Sequence, residues 1–127
     1  MALLHVNYNS EALGMLVSMD VILPQKTSWI KGDVPPHQTL YLLPGGGVDE
    51  TYWQRYTPIE KLAEGYNLAV IMPYLIGRFF YADMPLGQKW WSFLSDELPD
   101  ICQNMFRLSN EREGIPWSIQ TESCLIY

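Results

Sequence analysis

The sequence predicts an α/β fold in which antiparallel strands lead into parallel strands joined by crossover helices. Two patterns predict it. Met15–Leu23 alternates, with Val17, Met19, Val21 and Leu23 on one face and Ser18 and Asp20 on the other, as a half-buried strand does. Thr39–Leu43 and Leu68–Met72 are instead apolar on both faces, as strands of a parallel sheet covered on both sides must be. Helical spacing follows each of them, and strand, helix, strand, helix is the order of a crossover layout.

Leu3–Tyr8 reads as a first strand, Asn9-Ser10-Glu11 as a turn, and the alternating segment as its hairpin partner, ended by Pro24. Residues 25–38 carry Gly32, Pro35 and Pro36 and read as a loop. After the strand Thr39–Leu43 comes a glycine turn, Pro44-Gly45-Gly46-Gly47-Val48, and Asp49 is placed to cap a short helical turn through Trp53. Thr57-Pro58-Ile59-Glu60 has the form of a capping box with proline at the first helical position. That helix is expected to stop near Gly65 in a left-handed conformation. A second helix is expected over 89–106, with Trp90, Leu94, Leu98, Ile101 and Met105 on one face and Pro99 kinking or splitting it. Ile115–Gln120 and Cys124–Tyr127 read as short strands, the first weakened by Pro116.

A chain of 127 residues suits one domain, and 48% hydrophobic with 17% charged residues gives a packed core rather than disorder. The net charge of −6, with no cluster of lysine or arginine, disfavours nucleic acid, whose phosphates need basic partners. Cys102 and Cys124 fit neither metal-ligand nor redox spacing and read as reduced thiols. The first residues carry no basic segment ahead of an apolar one, so no signal peptide is expected. The longest apolar runs have strand length, so no membrane partner is expected, and a cytoplasmic location is the default. No cofactor and no metal are expected.

The glycine turn is the chemically suggestive feature. Successive glycines let backbone N–H groups approach a ligand and stabilise negative charge. The turn lacks the Lys-Ser/Thr of a phosphate loop and the spacing of a dinucleotide fingerprint. His5 and His37 are the candidate general bases, and each reads more simply as a strand or loop residue without triad partners. Ser118, Thr121 and Ser123 lie in the tail with no glycines placed to form a nucleophile turn. Asp96-Glu97 and Glu111/Glu113 read as solvated carboxylates. Trp90-Trp91 and Phe79-Phe80-Tyr81 are apt to line a pocket, although at helical spacing Trp90 and Leu94 read as core.

Leu42-Leu43-Pro44-Gly45-Gly46, Tyr52-Trp53 and the run Ile59–Pro73 together resemble the esterase branch of the α/β-hydrolases. That branch includes tributyrin esterases, S-formylglutathione hydrolases and several carbohydrate acetyl- and feruloyl-esterases. Asn9–Pro24, Gly77-Arg78, Phe80-Tyr81, Asp83-Met84 and Glu97–Cys102 continue the resemblance, which covers residues 1–113 and is most like the tributyrin-esterase group. It implies the N-terminal part of an α/β-hydrolase fold, truncated, with a divergent tail at 114–127. The implied activity is hydrolysis of short-chain acyl esters through a serine acyl-enzyme, with a small ester as substrate. The family follows this strand with His-Gly, and the N–H after that glycine helps to form the oxyanion hole. Pro44-Gly45 stands at those positions, so the resemblance makes Gly45 and Gly46 the oxyanion-hole loop, with Gly46 N–H as donor. It also marks Trp53, Arg78 and Tyr81 as candidate substrate-pocket residues.

The family's nucleophile sits in Gly-x-Ser-x-Gly, which by position falls near 119–123, where the sequence reads Ile119-Gln120-Thr121-Glu122-Ser123. No serine of the chain has glycine two residues away on both sides. No catalytic nucleophile, acid or base is therefore assigned, and the chain is expected to be inactive alone. A half-enzyme completed by a second chain, or a small-ligand or carbohydrate-binding module, are the alternatives. A frameshift or premature stop after Glu113 would produce such a tail, with the rest of an esterase then encoded downstream in another frame. Unpaired sheet edges would favour self-association.

Overall fold

The computed structural model describes residues 1–25, 37–43, 49–74, 92–106 and 108, and the backbone of 118–120 and 124–126. Strands β1 (Ala2–Ser10), β2 (Met15–Leu23), β3 (Thr39–Tyr41) and β4 (Ala69–Pro73) form a sheet in the order β1-β2-β4-β3. The first two are antiparallel, with Ala2 opposite Leu23 and Ser10 opposite Met15. Gly14 closes their turn at φ +66 and donates its N–H to Ser10 O at 2.9 Å. A side chain there would meet open space, so the backbone conformation alone is what calls for glycine. β2 runs antiparallel to β4, and β3 runs parallel to it, with Thr39 opposite Ala69 and Tyr41 opposite Ile71. The short strands β5 (Ser118–Gln120) and β6 (Cys124–Ile126) pair with each other in a separate antiparallel ladder.

The two strands read as apolar on both faces occupy the places that require it. Every residue of β4 is buried. Its Ala69 and Ile71 join Val17, Met19, Val21 and Tyr41 on one side of the sheet. Its Val70 and Met72 join Ile22, Leu42 and Ala63 on the other. Helices α1 (Tyr52–Tyr56) and α2 (Ile59–Tyr66) carry the crossover from β3 to β4. α2 reaches the sheet through Ala63, whose small side chain permits close approach. The opposite side is covered by a π-helical turn, Phe93–Glu97, that continues into α3 (Leu98–Met105).

Three local expectations are corrected. Thr57 does not cap α2. Its hydroxyl donates to Trp53 O, closing α1, and Pro58 takes the cap position with no side-chain bond. The two helices are so close that Thr57 must end one before it can begin the next. α2 ends near Gly65 as expected, at Tyr66, but the left-handed residue is Asn67, at φ 54 and ψ 42, and not Gly65. Asparagine tolerates that region better than other residues with a Cβ, and Asn67 and Leu68 return their N–H groups to the last carbonyls. Third, the buried stripe of the last helix is Phe93, Leu98 and Cys102, while Met105 is exposed and Leu94 and Ile101 only border the core. Trp90 lies outside the described residues. Pro99 explains the shift. It has no N–H to give to the carbonyl four residues earlier, and its ring crowds that carbonyl. The wider turn before it, in which Leu98 N–H reaches back to Phe93 O, relieves the crowding. One extra residue in a turn rotates the following side chains by about 100°.

This segment is fastened to the hairpin. Ser10 Oγ donates to Glu97 Oε1, Ala12 N–H to Glu97 Oε2 at 2.8 Å, and Leu13 N–H to Ser10 Oγ at 3.1 Å. Phe93 stacks on Tyr8 with centroids 6.4 Å apart and planes 16° from parallel. The Cys102 thiol points at Met19 Sδ, 3.9 Å away, and burial pushes its pKa up to about 12. It is a core residue rather than a nucleophile.

Phe93 is fully buried, and its ring joins the covering layer to the sheet. Phe93→Ala should lower unfolding free energy by about 3–5 kcal/mol, read as a lower urea midpoint at unchanged slope. A loss below about 1 kcal/mol would mean that this layer is not packed as described.

Candidate functional site

The end of β3 is the place to which the sequence assigns chemistry. Leu42 N–H extends the parallel ladder to Ile71 O at 2.8 Å, and Leu43 is buried. Gly45 and Gly46 lie outside the described residues, as do Arg78 and Tyr81. Of the residues proposed for the site, Trp53 is described. Its indole N–H donates to Leu43 O at 3.2 Å, and its ring meets Tyr52 edge-on at 5.3 Å. The polar atom of Trp53 is therefore already engaged, and any pocket role falls to the ring.

The chain re-enters after 44–48 through a tightly bonded turn. Asp49 Oδ1 accepts from Thr51 N–H at 3.0 Å and from the Thr51 hydroxyl at 2.5 Å. These bonds hold its carboxyl below the usual carboxylate range. Asp49 thus organises the start of α1 as an Asx turn two residues upstream, and the helix continues past Trp53 to Tyr56.

Two polar tethers then join this turn and α1 to β2. Ser18 Oγ donates to Glu50 Oε1 at 3.1 Å, and Gln54 Nε2 donates to Asp20 Oδ2 at 2.5 Å. Asp20 is buried, and its other oxygen lies 2.5 Å from His5 Nδ1 across the hairpin. The hydrogen bond to Asp20 raises the His5 pKa above its ordinary 6.5, and the charges of Asp20 and Glu50 add to it against partial desolvation.

In the sequence His5 is a candidate general base that reads more simply as a strand residue, and no motif there marks Asp20, Glu50 or Gln54 as its neighbours. A signal for the first pair was present. In this hairpin opposed residues have numbers that add to 25, so the turn at 11–14 already sets His5 against Asp20. Gln54 and Glu50 carried no such signal, because they reach β2 only through tertiary packing of α1. His37 makes a parallel bridge with Leu108. No helix among the described residues is long and apolar enough to cross a membrane.

The sign of the His5 shift fixes a pH dependence. A folded-state pKa above 6.5 means that the His5–Asp20 pair stabilises the fold fully below the unfolded value. That contribution is lost as pH rises through the folded value. The melting-temperature gap between the parent chain and His5→Gln should therefore be widest near pH ~6 and narrow toward pH ~9. A gap that stays constant over that range would remove the pair from the stability of the fold.

No protein-family model matches the chain. Over 117 residues it is 26% identical to an acetyl esterase of Caldicellulosiruptor saccharolyticus, covering 89% of this chain and 44% of that protein. Among solved structures it superposes on the substrate-bound fluorophosphonate-binding serine hydrolase F of Staphylococcus aureus with a TM-score of 0.74 at 36% identity. The apoenzyme of S-formylglutathione hydrolase from the same organism gives a TM-score of 0.74 at 38% identity. Each match covers 87% of this chain and 44% of the other. A ferulic acid esterase at 19% identity, with a TM-score of 0.71, shares the fold. The chain thus spans under half the length of the relatives it matches, and its mixed sheet corresponds to part of theirs. In sequence and fold it is similar to an N-terminal portion of the esterase and S-formylglutathione hydrolase-like α/β-hydrolases.

Proposed function

We propose that this chain supplies the oxyanion-loop portion of a serine carboxylesterase site for short-chain acyl esters and has no turnover by itself. One observation supports the reading above the others. Over 87% of its length the chain is alike in fold and 36–38% identical in sequence to a serine hydrolase and an S-formylglutathione hydrolase, and its sequence places a glycine-rich segment directly after the strand Thr39–Leu43. In this reading Gly46 N–H faces the developing oxyanion, Gly45 lets the backbone turn, and the Trp53 ring borders the acyl group with Arg78 and Tyr81. Pro44 occupies the family's histidine position, which removes an N–H donor and fixes φ near about −65°. The 127 residues contain no Gly-x-Ser-x-Gly, so the reading assigns the attacking serine, its base and its acid to none of them.

The purified chain should neither hydrolyse p-nitrophenyl acetate or butyrate above the buffer rate nor become labelled by a fluorophosphonate probe. Turnover that copurifies with the chain through two orthogonal columns, together with stoichiometric labelling of one of its serines, would overturn the proposal.

A further inference from the structure

His5, Asp20 and Glu50 form a cluster for which the esterase reading has no use. One ring nitrogen of His5 and one carboxylate oxygen from each acid all lie within 4.8 Å of one another. The three come from β1, β2 and the turn before α1, so the tertiary fold assembles them. Their charge is a second, separate observation. Asp20 has a side chain only 7% exposed, and its one ion pair among the described residues is with His5. No lysine or arginine among those residues pairs with either carboxylate. A protonated His5 brings one positive charge to two negative ones, and a neutral His5 brings none. Asp20 is buried and Glu50 half-buried, and an uncompensated charge held even partly away from water is expensive. A divalent cation would supply both charges at once.

We propose that His5, Asp20 and Glu50 bind a divalent transition cation of the zinc type. One imidazole and two carboxylates are a donor set that such ions accept, at about 2.0–2.2 Å. Donors around a tetrahedral ion of that size sit roughly 3.4 Å apart. The 2.5 Å contact between His5 and Asp20 therefore opens by less than about 1 Å, and the wider separation from Glu50 closes. His5 is half exposed and free to make that adjustment. The ion replaces the proton held between Nδ1 and Oδ1, and that proton leaves to solvent. Gln54 keeps Asp20 Oδ2 and so aims Oδ1 at the site, the supporting bond that metal-binding carboxylates ordinarily have. The remaining coordination position opens to water on the exposed side of His5.

Isothermal titration of the whole chain with zinc chloride near pH ~7.5 tests this. One saturable site is expected, weakened at least about tenfold by His5→Ala and by Glu50→Gln, and unchanged by His37→Ala and Cys124→Ser. Circular dichroism without zinc identifies any variant that fails to fold. Glu50 lies in a surface turn, so Glu50→Gln decides the matter if His5→Ala is lost. Absence of saturable binding, binding that survives both cluster substitutions, or loss on the His37 or Cys124 substitution would each overturn the proposal.

Discussion

Burial of β4 on both faces is the constraint from which the rest of the described structure follows. All five of its residues are inside, and both neighbours in the sheet are strands, one antiparallel and one parallel. A strand in that position has no solvent face, so both sides need a covering layer. α2 provides one with Ala63, and Phe93, Leu98 and Cys102 provide the other. The parallel pairing with β3 also forces a crossover, so 49–68 must leave the sheet plane and return. The helix start before Trp53 stands beside the end of β3 because of that topology, held there by the bond from Trp53 to Leu43 O.

Against this apolar background β2 carries one buried carboxylate, Asp20. Left bare it would destabilise the sheet, and it is answered from two sides, by His5 across the hairpin and by Gln54 from α1. These bonds do more than neutralise a charge. α1 has five residues, none of them fully buried, and a helix that short is not stable alone. Its position comes from the Asp20 and Glu50 tethers and from the bond between Trp53 and Leu43. The polar cluster and the end of β3 are thus mechanically one unit. A change at Asp20 should be felt at Leu43 although the two side chains belong to different strands.

Much of this was legible in the sequence because it depends on local periodicity. The bounds of β2, the hairpin, the doubly apolar β3 and β4 and the helix between them follow from side-chain patterns with periods of two and about 3.6. The misses share a different cause. Thr57 has two helix ends within reach, and only packing decides which one its hydroxyl serves. Gly65 and Asn67 are both acceptable left-handed stops, and the helix takes the later one, where the Asn67 and Leu68 N–H groups return to Glu64 O and Ala63 O. At Pro99 the sequence announced a disruption but not its form, and a π-helical turn instead of a kink moved the buried face from Met105 to Cys102. The contacts of Asp20 with Gln54 and of Ser18 with Glu50 span more than thirty residues, beyond the range of any periodic signal.

The proposed role of the Pro44–Val48 turn is best judged by what such a turn does energetically. An oxyanion hole accelerates a reaction only by holding the transition state more tightly than the ester. That charge appears on the carbonyl oxygen only when a nucleophile attacks the carbonyl carbon. Without an attacking serine the donors meet a neutral carbonyl, to which a hydrogen bond is worth only about 1 kcal/mol net. Under the proposed reading, the physical expectation is weak ester binding without turnover. The same logic separates what the fold requires from what turnover requires. The sheet needs β4 and its two covering layers to stand, and those are present. Turnover needs donors, nucleophile and base held together to within about 0.5 Å, and burying the strand does not accomplish that.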